Sequence, residues 1–312
     1  IARHLTRAPL SERQSKALTG GSGVGATLID EQFETEMYDI LSRYGKWSGL
    51  GVRQIGKATA SYPVKTARPI AKFFRKIVGR KIPEGTKTGT RSTVTPESMG
   101  VLILADEELL KDSEIDLSRD IMNDFVESMN LLMDFMAFMA DGTDDADHGG
   151  FTGLFNGGTA APAAATHTTI GSLGLSDFLN CLTTVAPIVL ERQAKWWMHP
   201  YNLARSIGIK DDNGRPLFQT ALEAPSFGAV GSILGYPLEL IHVGPSTDAA
   251  GEQIAAFGDP QAQLVPVRQG FEFAESADWK FDDYQRAFRV VGRACTATRA
   301  ATSFAVLTTA GE

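Results

Sequence analysis

From residue 114 to 141, apolar and acidic side chains recur with the spacing of a single long helix, about seven turns and roughly 40 Å long at 1.5 Å per residue. At 100° per residue, Asp116, Asp120, Asp124, Glu127 and Asp134 share one face, while Ile121, Met122, Phe125, Met129, Leu132, Met133 and Met136 share the other. Beyond Leu131 the acidic stripe fades, because Phe135, Phe138 and Met139 make the last turns apolar nearly all round. That end is expected inside a core, and the acidic end against water or a basic surface. Ser113 is placed to cap the start and Gly142 to end the helix.

The other patterns are shorter. Residues 1–20 carry Arg3, Arg7, Arg13 and Lys16 among few large apolar groups and read as an extended arm, loosened further by Gly20, Gly21, Gly23 and Gly25. Phe33, Met37, Ile40 and Leu41 give 30–44 helical spacing. Strand-like pieces at 61–66 and 90–96 bracket a stretch broken by Pro63, Pro69 and Pro83, which predicts a long two-stranded excursion. Residues 101–110 return to dense apolar packing, 141–158 are turn-rich, and 159–169 read as an Ala/Thr-rich linker.

A second unit begins at Ser176, the expected cap of a helix through Phe178, Leu179, Leu182 and Val185 that Pro187 should kink or shorten. Strand and helix pieces follow at 195–198, 202–209 and 232–243, with a turn at 211–214. The tail predicts strands at 261–268, 271–275, 287–298 and 303–308, packing as a sheet against the long helix. The class is α+β.

Composition changes this picture little: 312 residues, 43% hydrophobic and 21% charged, describe an ordinary globular chain of two or more compact parts. No apolar run approaches the ~20 residues of a membrane helix, and residues 1–20 lack the apolar core of a signal peptide. Cys181 and Cys295 read as buried reduced thiols.

Charge changes it more. The net −7 hides eleven basic residues against one acid from Arg53 to Arg91, and fifteen acids against two cations from Glu97 to Asp147. Blocks of +10 and −13 side by side ask for a partner. A ribbon this basic could pair with the acidic helix within the chain or between neighbours. It could also bind nucleic acid, using Tyr62, Phe73 and Phe74 beside its cations, although the chain as a whole is acidic. Exposed ion pairs contribute only ~0–1 kcal/mol each, so Phe73, Phe74, Ile77 and Val78 would have to supply the affinity.

Catalytic chemistry is not supported. Residues 51–57 spell G-x-x-x-x-G-K, but Ala58 stands where a magnesium-binding Ser or Thr belongs, no buried strand precedes, and Pro63 blocks the helix that should follow. Gly21, Gly23 and Gly25 miss the dinucleotide spacing. Asp141, Asp144, Asp145 and Asp147 beside His148 fail the calcium-loop order and read as a solvated turn. Histidines 4, 148, 167, 199 and 242 show no zinc spacing, and no nucleophile elbow occurs. No catalytic, cofactor or metal residue is assigned.

A set of stretches carries a resemblance. In order they are STVTPESMGVLILADEELLKDS (92–113), the long helix, DGT (141–143), GGFTGLFN (149–156), WWMHP (196–200), KDDNGRPLF (210–218), SILGYPLEL (232–240), FGDP (257–260), FRVVGR (288–293) and FAVL (304–307). By their order and spacing the chain resembles the major capsid proteins of tailed bacteriophages with the Hong Kong 97 fold.

The resemblance implies an N-terminal arm over 1–52, an extended loop over 53–95, a peripheral domain built from 96–169 and 259–312 around a spine helix, and an axial domain over 170–258. It implies copies joined as pentamers and hexamers of an icosahedral shell around double-stranded DNA bound without sequence recognition, with no cofactor. It also implies scaffold, maturation protease, portal and decoration proteins as partners, and a location in the virion after assembly in the host cytoplasm.

The loop is implied to lie over a neighbour's peripheral domain. The expected interface is therefore Lys57, Lys65, Arg68, Lys72, Phe73, Phe74, Arg75, Lys76, Arg80 and Lys81 of one copy on Asp116, Asp120, Asp124 and Glu127 of the next. Proteolytic trimming would account for Ile1 in place of Met. Lys–Asn crosslinks, known in some relatives, are not expected, because no asparagine follows Asn213. An encapsulin-type compartment shell and a gene-transfer-agent capsid are the alternatives on the same fold, and a nucleic-acid-binding module using 53–91 is the alternative from another class.

Overall fold

One long helix ties together two sheets in the computed structural model of the chain. The structure describes residues 44–73, 82, 84–113, 117–209, 218–220, 231–279 and 281–311. Ser113 aside, these belong to one compact unit, Ser42–Asp112 with Leu117–Glu312. In chain order the strands and α-helices are β1 (Gly51–Gln54), β2 (Ala60–Ala67), β3 (Thr88–Val94), β4 (Glu97–Asp106), α1 (Glu107–Asp112) and α2 (Leu117–Phe138). Next come α3 (Leu154–Gly157), β5 (Thr159–Pro162), α4 (Leu175–Thr184), α5 (Pro187–Leu190), β6 (Lys195–Met198), α6 (Pro200–Ser206) and β7 (Phe218–Thr220). The rest are β8 (Gly231–Ile233), β9 (Tyr236–Leu240), β10 (Gln253–Gly258), β11 (Gln263–Ser276), β12 (Gln285–Ala294), β13 (Ala297–Thr298) and β14 (Phe304–Thr308).

The first sheet runs β1-β11-β12-β4 with β13 also on β11; the second runs β5-β14-β10-β6-β9-β8-β7; β2 and β3 form a third, two-stranded sheet. Helix α2 spans the first two. Ile121, Phe125 and Met129, four residues apart, pack on Ala105, Phe288 and Val290 of the first sheet. One and two turns further on, Met133, Met136, Ala137 and Phe138 pack with Trp197, Ala256, Phe304 and Val306 of the second. The change of partner is the change the sequence shows at Leu131, from a one-faced helix to one that is apolar nearly all round.

The second sheet is buried on both faces, which the two-residue period of its strands makes visible. Trp196, Phe257, Ala305 and Leu307 point to the side of Phe178 and Cys181, while Trp197, Ala256, Phe304 and Val306 point to α2. Within a strand, adjacent tryptophans point to opposite faces, so burying both requires a sheet covered on both sides.

Several expectations are corrected. Residues 159–162 are a strand, paired in parallel with β14 from Thr159↔Ala305 to Pro162↔Thr308, so tertiary pairing overrides their weak strand composition. Ser176 lies inside α4; the start is secured instead by Asp177, whose Oδ2 accepts from the Gly174 N–H at 2.8 Å. As expected, the helix is cut short before Pro187: α4 stops at Thr184, and Pro187 opens α5 as a first-turn proline. The strands read at 261–268 and 271–275 are one, β11, whose pairing with β12 shifts register between Val267 and Gln269 and again before Glu272. The piece at 303–308 joins the second sheet, between β10 and β5. The arm at 1–43, the start of the long helix at 114–116 and the turn at 211–214 lie outside the described residues.

Candidate assembly surface

The two-stranded excursion is present. β2 and β3 pair antiparallel from Ala60↔Val94 to Lys65↔Gly89, and Ala60 and Pro96 are buried at the root. Tyr62 adds to that root: its hydroxyl is buried with no hydrogen-bond partner among the described residues, and burial pushes its phenol up against the pull of Arg53 and Arg299. Away from the root most of its described side chains are exposed. Lys57, Lys65, Arg68 and Lys72 are exposed, and so are Ile70, Phe73 and Ile82, at 77%, 87% and 78%. Phe74, Arg75, Lys76, Arg80 and Lys81 lie outside the described residues. A two-stranded ribbon with bare apolar side chains is marginal by itself, so its stability must come from another surface.

On α2, Asp124 is exposed and Asp120 and Glu127 are half-buried, whereas Asp116 lies outside the described residues. Among the described residues, no ion pair joins Lys57, Lys65, Arg68 or Lys72 to Asp120 or Glu127 within the protomer. Two expectations about the helix faces fail. Met122 is 44% exposed, because the first sheet covers only the side of Ile121 and Phe125. Asp134 is 2% exposed and does not belong to the acidic face.

Asp134 instead holds the incoming chain. Its Oδ2 accepts from Gly45 N at 2.7 Å and Lys46 N at 3.2 Å, and its Oδ1 from Trp47 N at 2.7 Å. The Trp47 Nε1–H donates to Asn130 Oδ1 one turn earlier, at 3.1 Å. These bonds satisfy the start of a 3-10 turn, Lys46–Gly49, that leads into β1. Burial raises the Asp134 carboxyl above its ordinary range, while the three N–H donors and Lys46 act against that. One signal for this role was in the sequence: a lone acid between Met133 and Phe135 has no affordable place in a core unless donors meet it.

The acidic turn after the helix is a set of local hydrogen bonds. Asp141 Oδ1 accepts from Thr143 N at 2.8 Å, and Asp145 Oδ1 accepts from Asp147 N and His148 N at 3.0 and 2.7 Å. His148 Nδ1 sits 2.8 Å from Asp145, Nε2 is 3.8 Å from Asp141, and the ring lies on Phe135 at 5.4 Å. The Asp145 hydrogen bond raises the His148 imidazole, and the His148 bonds lower the Asp145 carboxyl. Asn156 Nδ2 closes the helix end by donating to Met139 O at 2.7 Å.

The phosphate-loop lookalike is a strand. Residues 51–54 pair in parallel with β11, and a Cβ on Gly51 would come within 2.9 Å of the Gln263 carbonyl, so close strand packing explains that glycine. β2, not a helix, follows. Cys181 and Cys295 are buried and free, with thiols pushed by burial up to about 12.

Two sheets bridged by a spine helix, with a cationic ribbon standing out from the first sheet, define an α+β shell protein of the Hong Kong 97 type. The chain belongs to the phage capsid family, whose model matches residues 25–309. The structure is similar to the capsid of a native GTA particle, with a TM-score of 0.78 at 16% identity over 94% of this chain and 99% of that one. It is also similar to a chain of Microbacterium phage Oxtober96, with a TM-score of 0.69 at 16% identity over 97% of this chain and 100% of that one. For a chain of Mycobacterium phage Bobi the TM-score is 0.68 at 14% identity over 98% of this chain and 100% of that one. No curated protein sequence matches the chain. The protein is thus a structural capsid protein, as its sequence resemblance implied.

Proposed function

We propose that copies of this chain form the hexamers and pentamers of an icosahedral bacteriophage shell that encloses double-stranded DNA without reading its sequence, assembled in the host cytoplasm. Membership of the phage capsid family carries this reading. In it, residues 53–95 are the extended loop, 96–169 and 259–312 the peripheral segments around the spine helix, and 170–258 the axial segment.

Copies join by the ribbon of one lying across the spine helix of the next, cations on acids. Support comes from the exposed, unpacked ribbon and from the opposite charge of the two surfaces. Charge here sets register and partner rather than affinity. Raising salt from 0.1 to 1 M shortens the screening length from ~10 to ~3 Å and should slow the first association of protomers. An assembly rate flat in salt contradicts charge-set register. Closed shells of uniform size under negative stain support the functional reading, and a stable monomer at high concentration refutes it.

A gene-transfer-agent capsid is the second reading, favoured by the match to the native GTA particle. Sequencing the enclosed DNA separates the two: one repeated genome for a phage, assorted host fragments for a transfer agent.

A further inference from the structure

The N-terminal half of α2 and the C-terminal end of β11 leave an open apolar groove of about 100 Å³, lined by Met122, Phe125, Phe273, Ala274 and Phe288. Phe125 and Phe273 stack in it with ring centroids 6.5 Å apart. Its edges are bare: Met122 is 44% and Phe273 42% exposed, and Val126, one turn on from Met122, is 40% exposed. A soluble surface scatters such side chains singly; a run of them beside an aromatic groove marks a contact.

We infer that Phe73 from a second copy of this chain fills this groove and anchors the ribbon there. The inference rests on the assembly reading above and names the seat that reading leaves open. Three observations select the occupant. With 87% exposure, Phe73 is the barest of the large apolar side chains among the described residues. The groove walls are phenyl rings, which favour offset or edge-on packing by another ring. The charges also match: Lys72 adjoins Phe73 and Arg68 lies a few residues away, while Asp120, Asp124 and Glu127 line the same helix and Glu275 stands at the groove. Arg289 is the one cation among the lining residues, and Glu275 lies 3.8 Å from Arg286.

Disulfide trapping in assembled full-length particles tests this. The variant carries Phe73→Cys and Met122→Cys; the native thiols are buried and stay silent. A bond forms only if the two Cα atoms come within about 7 Å. On a non-reducing gel the expected result is a ladder of covalent oligomers that reductant collapses, with none from Phe73→Cys combined with Leu179→Cys on α4. Shells without a 73–122 ladder overturn the anchor while leaving the shell reading intact. A fast-migrating internally bridged monomer overturns both the anchor and the docking between copies. Failure of the unmodified protein to form shells refutes the shell reading itself.

If the double variant does not assemble, Phe73→Ala decides. Losing one buried phenyl should raise the critical concentration for assembly at least about tenfold while leaving the melting temperature of the unassembled protomer unchanged. An unchanged critical concentration overturns the inference.

Discussion

Asp134 sits among apolar side chains with both carboxylate oxygens committed to the backbone of residues 45–47. Removing it strands three N–H groups, each costing about 1–3 kcal/mol when left unsatisfied. D134A should therefore lower protomer stability by about 3 kcal/mol or more, and D134N, which keeps one accepting oxygen, by less. Thermal unfolding checks the ranking; equal losses would mean the bonds contribute little. His148 offers a second residue-level test. Its raised pKa comes chiefly from the Asp145 hydrogen bond, with further help from Asp141 and Asp147. The pair's contribution is complete below the ordinary histidine value of 6.5 and is lost as pH rises through the raised value. At the acid end Asp145, whose pKa is lowered, contributes above its ordinary value and loses that contribution as pH falls through the lowered one. NMR titration should place His148 above 6.5 in the native chain and bring it down in D145N; a curve that D145N does not move contradicts the pairing.

Among the elements, α2 shows how far periodicity reaches. The helix itself, its apolar stripe through Ile121, Phe125 and Met129, and the deeper burial after Leu131 were readable from spacing alone, as was the hairpin pairing of β2 with β3, although the helix ends at Phe138 rather than Asp141. The exposure of Met122 and the burial of Asp134 were not, because a helical wheel cannot say how wide the covering surface is or what crosses it. The strand at 159–162 was missed for a related reason: its Ala-rich sequence pairs only because β14, more than a hundred residues on, offers an edge. The two positions on α2 give a prediction. F125A should cost the protomer about 3–5 kcal/mol through the cavity it leaves, while V126A, at 40% exposure, should cost under about 0.5 kcal/mol. Similar losses at both would contradict the one-sided packing of this half of the helix.

In the whole molecule, the fold places a ribbon that cannot stabilise itself on a body whose acidic helix does not pair with the described ribbon cations Lys57, Lys65, Arg68 and Lys72 at Asp120 or Glu127 within the protomer. On the proposed assembly, one copy would supply the ribbon and the next the helix, which would link the charge segregation of the sequence to a closed shell. Replacing residues 68–87 by a short Gly/Ser turn should leave the protomer's melting temperature within about a degree and abolish shell formation, since the described residues of that stretch, 68–73, 82 and 84–87, are exposed in the protomer. The most direct measurement is a cryo-EM reconstruction of the assembled particle, resolving side chains at the ribbon and the spine helix. The account predicts density for residues 57–73 lying on α2 of an adjacent copy, with Lys65, Arg68 and Lys72 toward Asp120, Asp124 and Glu127. A ribbon folded against its own subunit, or a spine helix facing only solvent, would contradict it.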